Sequence, residues 1–309
     1  MKIEQGNSLW SDAWLRLKKN RMALISLWVL VFIFAACFVL PATPLIKDSL
    51  AQNLSNSFAP PSAEHWLGTD KLGRDLLSRI LNGGQVSLLV GLIATVISII
   101  IGVIYGAISG YNGGKLDAVM MRIVDVLYGL PFLILVILLS IVISTTAKKY
   151  ESDLIVFLPE GVVNLMVNIL PLCLTIGILG WYTMARVVRS QVLSSKKLEY
   201  VEAAVSLGLT HKNILFKQIL PNQLGPIIVY TTLTIPGFIL TEATLSFLGV
   251  GVQPPNSSWG IMLNEGANYM ETKPMLLVLP SLVFAATLLC LNFLGDGLRD
   301  ALDPKASKD

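Results

Sequence analysis

The chain has 309 residues, of which 54% are hydrophobic and 14% are charged, and its formal net charge is +3. Soluble domains carry about 25% charged residues, so this composition predicts a protein that is solvated largely by lipid. The small net charge gives no indication of nucleic-acid binding.

The first 21 residues form a polar tail with a helical pattern. Trp10, Ala13, Trp14 and Leu17 recur at helical spacing beside basic residues, which predicts a short helix lying in the cytoplasmic membrane interface. A frayed tail is the alternative. The polar tail and the length of the apolar stretch that follows favour a retained first helix over a cleaved signal peptide.

Six apolar stretches of about 20 residues each follow, which is the length needed to cross a bilayer. Because lipid offers the backbone no hydrogen-bond partner, each is predicted to be a helix, giving an all-α membrane protein with six transmembrane helices. The predicted spans are 22–40, 87–109, 123–145, 163–183, 224–249 and 275–295. The chain then divides into a cytoplasmic tail (1–21), a first helix with an external segment (22–86), a core membrane domain (87–295) and a second tail (296–309).

The distribution of positive charge predicts the orientation. Of the 23 lysines and arginines, 16 fall in the tails and loops on the side of the two termini, and 7 fall on the opposite side. The positive-inside rule therefore places both termini in the cytoplasm. The largest cytoplasmic insert is residues 184–223.

Within the spans, Gly102, Gly106 and Gly110 form a row of small residues that predicts close approach of another helix. Prolines are expected to kink several spans, beginning with Pro131. The spans contain no histidine and no paired carboxylates, and the three cysteines have no C-x-x-C spacing. We therefore predict no catalytic, cofactor or metal site, and no enzymatic activity.

Glu242 is the ionisable residue that most needs an explanation, because it lies about two-thirds of the way along the fifth span. Such residues are costly in lipid and often functional. Glu242 is a candidate for the translocation cavity or for a subunit interface. The alternative is an inward-facing carboxyl satisfied by a hydroxyl such as Thr241 or Thr244.

The 184–223 insert is too polar for the bilayer and has helical order. Ser194 or Ser195 is expected to cap a first helix, whose apolar stripe comprises Leu198, Val201, Ala204 and Val205. Gly208 follows where a helix end favours a left-handed residue.

Thr210 is expected to cap a second short helix, which Pro221 ends. A helix–turn–helix with an apolar stripe is suited to docking in a partner's groove, or to folding onto the base of its own bundle. The pattern alone leaves both possibilities open.

The residues of this insert resemble the EAA loop of ABC importer permeases: Glu202, Ala203 and Ala204, then Gly208 four residues later, then Leu220 and Pro221. The resemblance implies the fold of a type I ABC importer transmembrane domain, with these six residues in a cytoplasmic coupling helix that contacts an ATP-binding subunit. Gln218 departs from the family pattern, which has an apolar residue there.

Other segments resemble the dipeptide and oligopeptide branch of this family, and most closely its oligopeptide C-subunit type. They are residues 65–70, 73–79, 110–117, 245–249, 257–274 and 295–305. Gln85 stands where that branch usually has arginine. The segment 148–161 is longer than the usual connection.

The resemblance implies a multi-pass permease of the bacterial inner membrane that imports oligopeptides. Its implied partners are a second homologous permease, two ATP-binding subunits, an external peptide-binding protein and the lipid bilayer. ATP and Mg²⁺ belong to the partners, because residues 110–116 only superficially suggest a nucleotide-binding loop and Leu116 replaces the required Ser or Thr. The alternatives are a family permease for dipeptides, nickel or antimicrobial peptides, and a stand-alone secondary transporter.

Overall fold

The computed structural model describes residues 9–302, and helices make up most of them. The predicted tail residues 1–8 and 303–309 lie outside this range. In chain order the helices are α1 (Leu9–Lys19), α2 (Arg21–Val39), α3 (Leu76–Asn112), α4 (Gly114–Gly129), α5 (Phe132–Lys149), α6 (Glu151–Phe157), α7 (Glu160–Asn164), α8 (Leu170–Gly180), α9 (Tyr182–Ser195), α10 (Glu199–Ser206), α11 (His211–Asn213), α12 (Leu220–Asn222), α13 (Leu224–Phe247), α14 (Trp259–Ala267) and α15 (Met275–Leu302).

Six helical segments of the described chain are long and apolar enough to cross a membrane, which confirms the predicted number of spans. Their bounds are Arg21–Ala42, Leu76–Asn112, Phe132–Lys149, Gly161–Gly180, Leu224–Phe247 and Met275–Leu302. The prediction for the third span was wrong, because the helix is interrupted within 123–145. Leu130 is extended, and Pro131, the residue before α5, has no backbone N–H with which to continue α4.

The second span is much longer than predicted. Helix α3 has 37 residues, which corresponds to about 55 Å of helix, whereas the hydrocarbon core is about 30 Å thick. The predicted boundary at residue 86 falls inside this helix. The first turns of α3 therefore extend beyond the hydrocarbon, where charged groups are hydrated or paired.

The projecting end of α3 is joined to α14 by an ion-pair cluster. The Arg79 guanidinium is buried and lies 2.7 Å from carboxylate oxygens of both Asp70 and Glu265. Burial tends to raise the pKa of Asp70, but the Arg74 backbone N–H and the Arg79 and Arg74 guanidinium groups outweigh it and lower that pKa. The 53–75 segment is thus held against the first turn of α3.

The α3 glycine row packs against α9, which confirms the predicted close helix approach. A Cβ added at Gly102 would lie 2.7 Å from the Cβ of Met184, and one at Gly110 would lie 2.7 Å from the carbonyl oxygen of Arg189. At Gly106 it would collide with the backbone of Ala185. This contact sets the distance between the second span and the helix that leads into the 184–223 loop.

We expect Gly106→Ala to separate α3 from α9 and to destabilise the protein by about 1–3 kcal/mol, the usual cost of overpacking. Gly129→Ala is the matched control, because a Cβ there meets nothing within 4 Å. Thermal unfolding of the detergent-solubilised protein measures both. Equal melting temperatures for the two variants would contradict the packing argument.

Candidate functional site

The 184–223 loop is a compact helical hairpin with a glycine turn. Gly208 has φ +76°, its N–H donates to the carbonyl of Val205, and the Leu209 N–H donates to the carbonyl of Ala204. These two bonds are the pair that closes a helix through a left-handed residue, so the predicted turn at Gly208 is confirmed. Thr210 then caps the next helix by accepting from the Asn213 N–H, also as predicted.

The predicted cap of the first helix was wrong. Neither Ser194 nor Ser195 caps α10, because α9 continues through both residues and Leu198 occupies the cap position. Ser195 is buried and accepts a hydrogen bond of 2.7 Å from Gln223 Nε2, which joins the two ends of the loop. The second helix continues from His211 through a π-helical segment to Asn222, one residue after Pro221, so its predicted end at Pro221 is confirmed within one residue.

The apolar stripe of α10 is only partly buried. Val201 and Ala204 are buried in a cluster with Ile214, Leu215 and Ile219. Leu198 and Val205 are 49% and 55% exposed, and Leu207, which follows the end of α10, is 81% exposed. The loop thus folds onto its own hairpin and still presents three large apolar side chains to its surroundings.

The six residues of the EAA resemblance occupy both faces of this hairpin. Ala204 is buried and Leu220 is half-buried, whereas Glu202, Ala203, Gly208 and Pro221 are exposed. Their contact with an ATP-binding subunit stays a prediction.

A π-helical segment, Ile214–Ile219, accounts for the position of Gln218. A π-helical turn holds one more residue than an α-helical turn, so it rotates the residues that follow. Ile219 is completely buried as a result, and Gln218 is half-buried beside it. The apolar position is therefore filled by the next residue in the chain.

Helix α9, which forms the first part of the 184–223 loop, is fixed to α3 and α4. Arg189 contacts Asp117 with Nε and Nη2 at 2.5 Å from the two carboxylate oxygens, and the Ser109 hydroxyl donates to the same carboxylate. The hydrogen bonds from Arg189 lower the pKa of Asp117; burial opposes them, and Ser109 adds to them. At the end of α9, Lys196 Nζ donates to the carbonyl of Tyr111 at 2.6 Å.

Glu242 is enclosed by the bundle and is 0% exposed. Its oxygens accept bonds of 2.7 Å from the hydroxyls of Ser87 and Ser246. Those hydroxyls in turn accept from the backbone N–H groups of Trp259 and Val252.

This geometry corresponds to the inward-facing alternative for Glu242, with serines in place of the expected threonines. Thr241 and Thr244 instead donate to carbonyls of their own helix. The candidate role of Glu242 in translocation or at a subunit interface stays a prediction.

A cleft of about 320 Å³ lies among α3, α5, α8, α9 and α13. Tyr182 and Thr183, at the start of α9, form part of its wall, and Tyr230, Thr234 and Thr241 line it from α13. This cleft was not predicted from the sequence. A signal was present, since Tyr230, Thr234 and Thr241 recur at helical spacing along α13.

We expect Glu242→Leu to destabilise the protein by about 2–5 kcal/mol, because the Ser87 and Ser246 hydroxyls lose their acceptor in a buried site. Glu242→Gln keeps one acceptor oxygen and should cost less. Thermal unfolding followed by size-exclusion chromatography measures the order of stability. A leucine variant as stable as the glutamine variant would contradict a structural role for the carboxyl.

Most of the chain matches known families. Residues 98–308 match the family described as the binding-protein-dependent transport system inner membrane component. Residues 8–61 match the N-terminal transmembrane domain of oligopeptide transport permease C.

Individual relatives are similar over nearly their whole length. The chain is 44% identical to the oligopeptide transport system permease protein OppC of Haemophilus influenzae, over 97% of this chain and 90% of that protein. It is 45% identical to OppC of Escherichia coli K12, over 97% and 93%. It is also 43% identical to the dipeptide transport system permease protein DppC of Bacillus subtilis, over 95% and 85%.

Proposed function

The chain belongs to the family of binding-protein-dependent transport system inner membrane components, and on this premise we propose that it is a permease subunit of an ATP-driven oligopeptide importer. The proposed complex contains a second homologous permease, two ATP-binding subunits and an external peptide-binding protein. The proposed location is the bacterial inner membrane, with both termini in the cytoplasm.

The observation that carries this proposal is the exposed apolar face of the 184–223 loop. Val201 and Ala204 are buried inside the hairpin, whereas Leu198, Val205 and Leu207 are exposed on its surface. An exposed helix face of this kind is suited to a partner's groove. The positive-inside rule supports a cytoplasmic position for the loop, where an ATP-binding subunit would be available.

Helix α9 is positioned to transmit a displacement of α10 to the membrane-spanning part of the protein. Its 14 residues span about 20 Å without interruption. Tyr182 and Thr183 at one end line the cleft, and α10 follows the other end after three intervening residues. Closure of the ATP-binding subunits would move α10, and α9 would carry that displacement to the cleft wall.

The relatives favour a peptide substrate and do not separate oligopeptides from dipeptides. Similarity to permeases named for oligopeptides and for dipeptides is nearly equal, at 44–45% and 43%. The Glu242 geometry argues against a stand-alone secondary transporter, because an ion-coupling carboxylate needs access to the ion and this one is enclosed.

The test of the proposed function is reconstitution of the complete transporter in proteoliposomes with and without this chain. We expect uptake of a tripeptide that requires ATP, the external binding protein and this subunit together. Uptake by this chain alone, driven by an ion gradient, would contradict the proposal and favour the secondary transporter.

We expect Leu207→Glu to reduce peptide-stimulated ATP hydrolysis by about tenfold, because a carboxylate placed in an apolar contact costs at least ~1.4 kcal/mol. Leu54→Glu is the matched control, since Leu54 is 70% exposed and lies outside the 184–223 loop. Both variants should keep the melting temperature of the unmodified protein. Full ATPase stimulation with Leu207→Glu would contradict a role for Leu207 in docking to the ATP-binding subunit.

Gly208 allows a test of backbone conformation without a steric clash, because a Cβ there meets nothing within 4 Å. We expect Gly208→Val to abolish coupled transport, since a β-branched residue strongly disfavours φ +76°. Gly208→Asn should keep most transport, because asparagine tolerates this region. Peptide uptake per ATP hydrolysed measures the effect, and equal coupling by the two variants would exclude a role for the left-handed turn.

A further inference from the structure

The wall of the cleft combines hydroxyl groups with apolar surface and has no fixed charge. Its hydroxyl-bearing residues are Ser98, Tyr182, Thr183, Tyr230, Thr234 and Thr241. The other lining residues are glycine, methionine, leucine and phenylalanine. Among the described residues, therefore, no carboxylate, amine, guanidinium or imidazole lines the cleft.

The two threonine hydroxyl groups of α13 that line the cleft are oriented as hydrogen-bond acceptors. Thr234 donates its proton to the carbonyl of Tyr230 at 2.7 Å, and Thr241 donates to the carbonyl of Gly237 at 2.8 Å. A hydroxyl that donates to its own helix keeps lone pairs for an outside donor. The Tyr182 hydroxyl has no hydrogen-bond partner within residues 9–302 and is free to donate.

The cleft-lining residues of α13 extend over the length of a short peptide. Tyr230, Thr234, Gly237 and Thr241 all line the cleft, and the eleven-residue separation of the first and last corresponds to about 16 Å of helix. An extended chain of about five residues covers the same distance. At Gly237 a Cβ would meet nothing within 4 Å, so the helix backbone itself is open there.

A hydroxyl-lined surface in a membrane is costly against lipid and is suited to a polar ligand or water. From this geometry we infer that the cleft binds an extended peptide by its main chain during transport. The threonine oxygens accept peptide N–H groups, and the Tyr182 hydroxyl donates to a peptide carbonyl. The inference rests on the proposed function and adds the chemistry by which the permease contacts its substrate.

The absence of fixed charge from the lining has a consequence for selectivity. A charged wall would attract peptides of opposite charge and repel those of like charge. An uncharged wall that recognises the main chain admits acidic, basic and neutral peptides alike. Selection among peptides is then left to the binding protein.

The first test introduces a charge at Thr234 in the assembled transporter. ATP-driven uptake of Ala-Glu-Ala, Ala-Lys-Ala and Ala-Ala-Ala is measured in proteoliposomes, each at saturating concentration for the binding protein. We expect Thr234→Lys to lower uptake of Ala-Lys-Ala relative to Ala-Glu-Ala by about tenfold, and Thr234→Glu to produce the opposite ratio. The unmodified transporter should carry all three peptides at similar rates.

Thr231 provides the matched control for this charge reversal. It lies on the same helix and donates to the carbonyl of Ile227 at 2.7 Å, but it does not line the cleft. Lysine or glutamate at Thr231 should change uptake of the three peptides by one common factor. A misfolded variant would also lower all three together, so only the opposite ratios at Thr234 support the inference.

The second test removes hydroxyl groups without adding charge. We expect Thr234→Val and Tyr182→Phe each to lower uptake of all three peptides by about fivefold, with Thr231→Val unchanged. Unchanged uptake with both cleft variants, or identical peptide ratios for Thr234→Lys and Thr234→Glu, would overturn the inference. If the unmodified transporter carries none of the peptides, the proposed function itself fails.

Discussion

The complete burial of the Glu242 carboxyl is the constraint on which one end of the helix bundle depends. A buried carboxyl must have both oxygens satisfied, and here Ser87 of α3 and Ser246 of α13 supply the two donors. Because the same serines accept the backbone N–H groups of Trp259 and Val252, the connection from α13 to α14 is fixed to both spans. Each group in this network satisfies a hydrogen-bonding group of another, so α3, α13 and the start of α14 are fixed relative to one another.

The opposite end of the bundle is held by contacts nearer to solvent. Arg189 and Asp117 join α9 to α4 through a pair that is partly exposed. The Gly106 backbone contact brings α9 against α3. Beyond these contacts the 184–223 loop turns Leu207 outward. The bundle thus combines a buried, fully satisfied network at one end with an accessible, apolar surface at the other.

The cleft lies between these two ends, and α9 connects its wall directly to the loop. In the proposed function this arrangement lets a partner act on the loop while the Glu242 network keeps the far ends of α3 and α13 together. The uncharged hydroxyl wall is consistent with a subunit that conducts peptides without choosing among them.

Much of the loop was predictable because its determinants are local. Gly208 adopts a positive φ because a helix end of this kind favours glycine, and Thr210 caps because its hydroxyl reaches an N–H three residues later. Ser195 was predicted to cap and instead pairs with Gln223, a partner far away in the sequence. The break at Pro131 was underestimated because an apolar composition alone does not show where a span is interrupted.

The sequence by itself determined the membrane class, the number of spans and the family, since hydropathy and linear motifs follow from neighbouring residues. Only the tertiary structure decided which hydroxyls satisfy Glu242, which face of α10 is exposed and which side chains meet in the cleft. Those features depend on contacts between residues distant in sequence. Ser87 and Glu242 are 155 positions apart, and only the packing of α3 against α13 brings their oxygens to 2.7 Å.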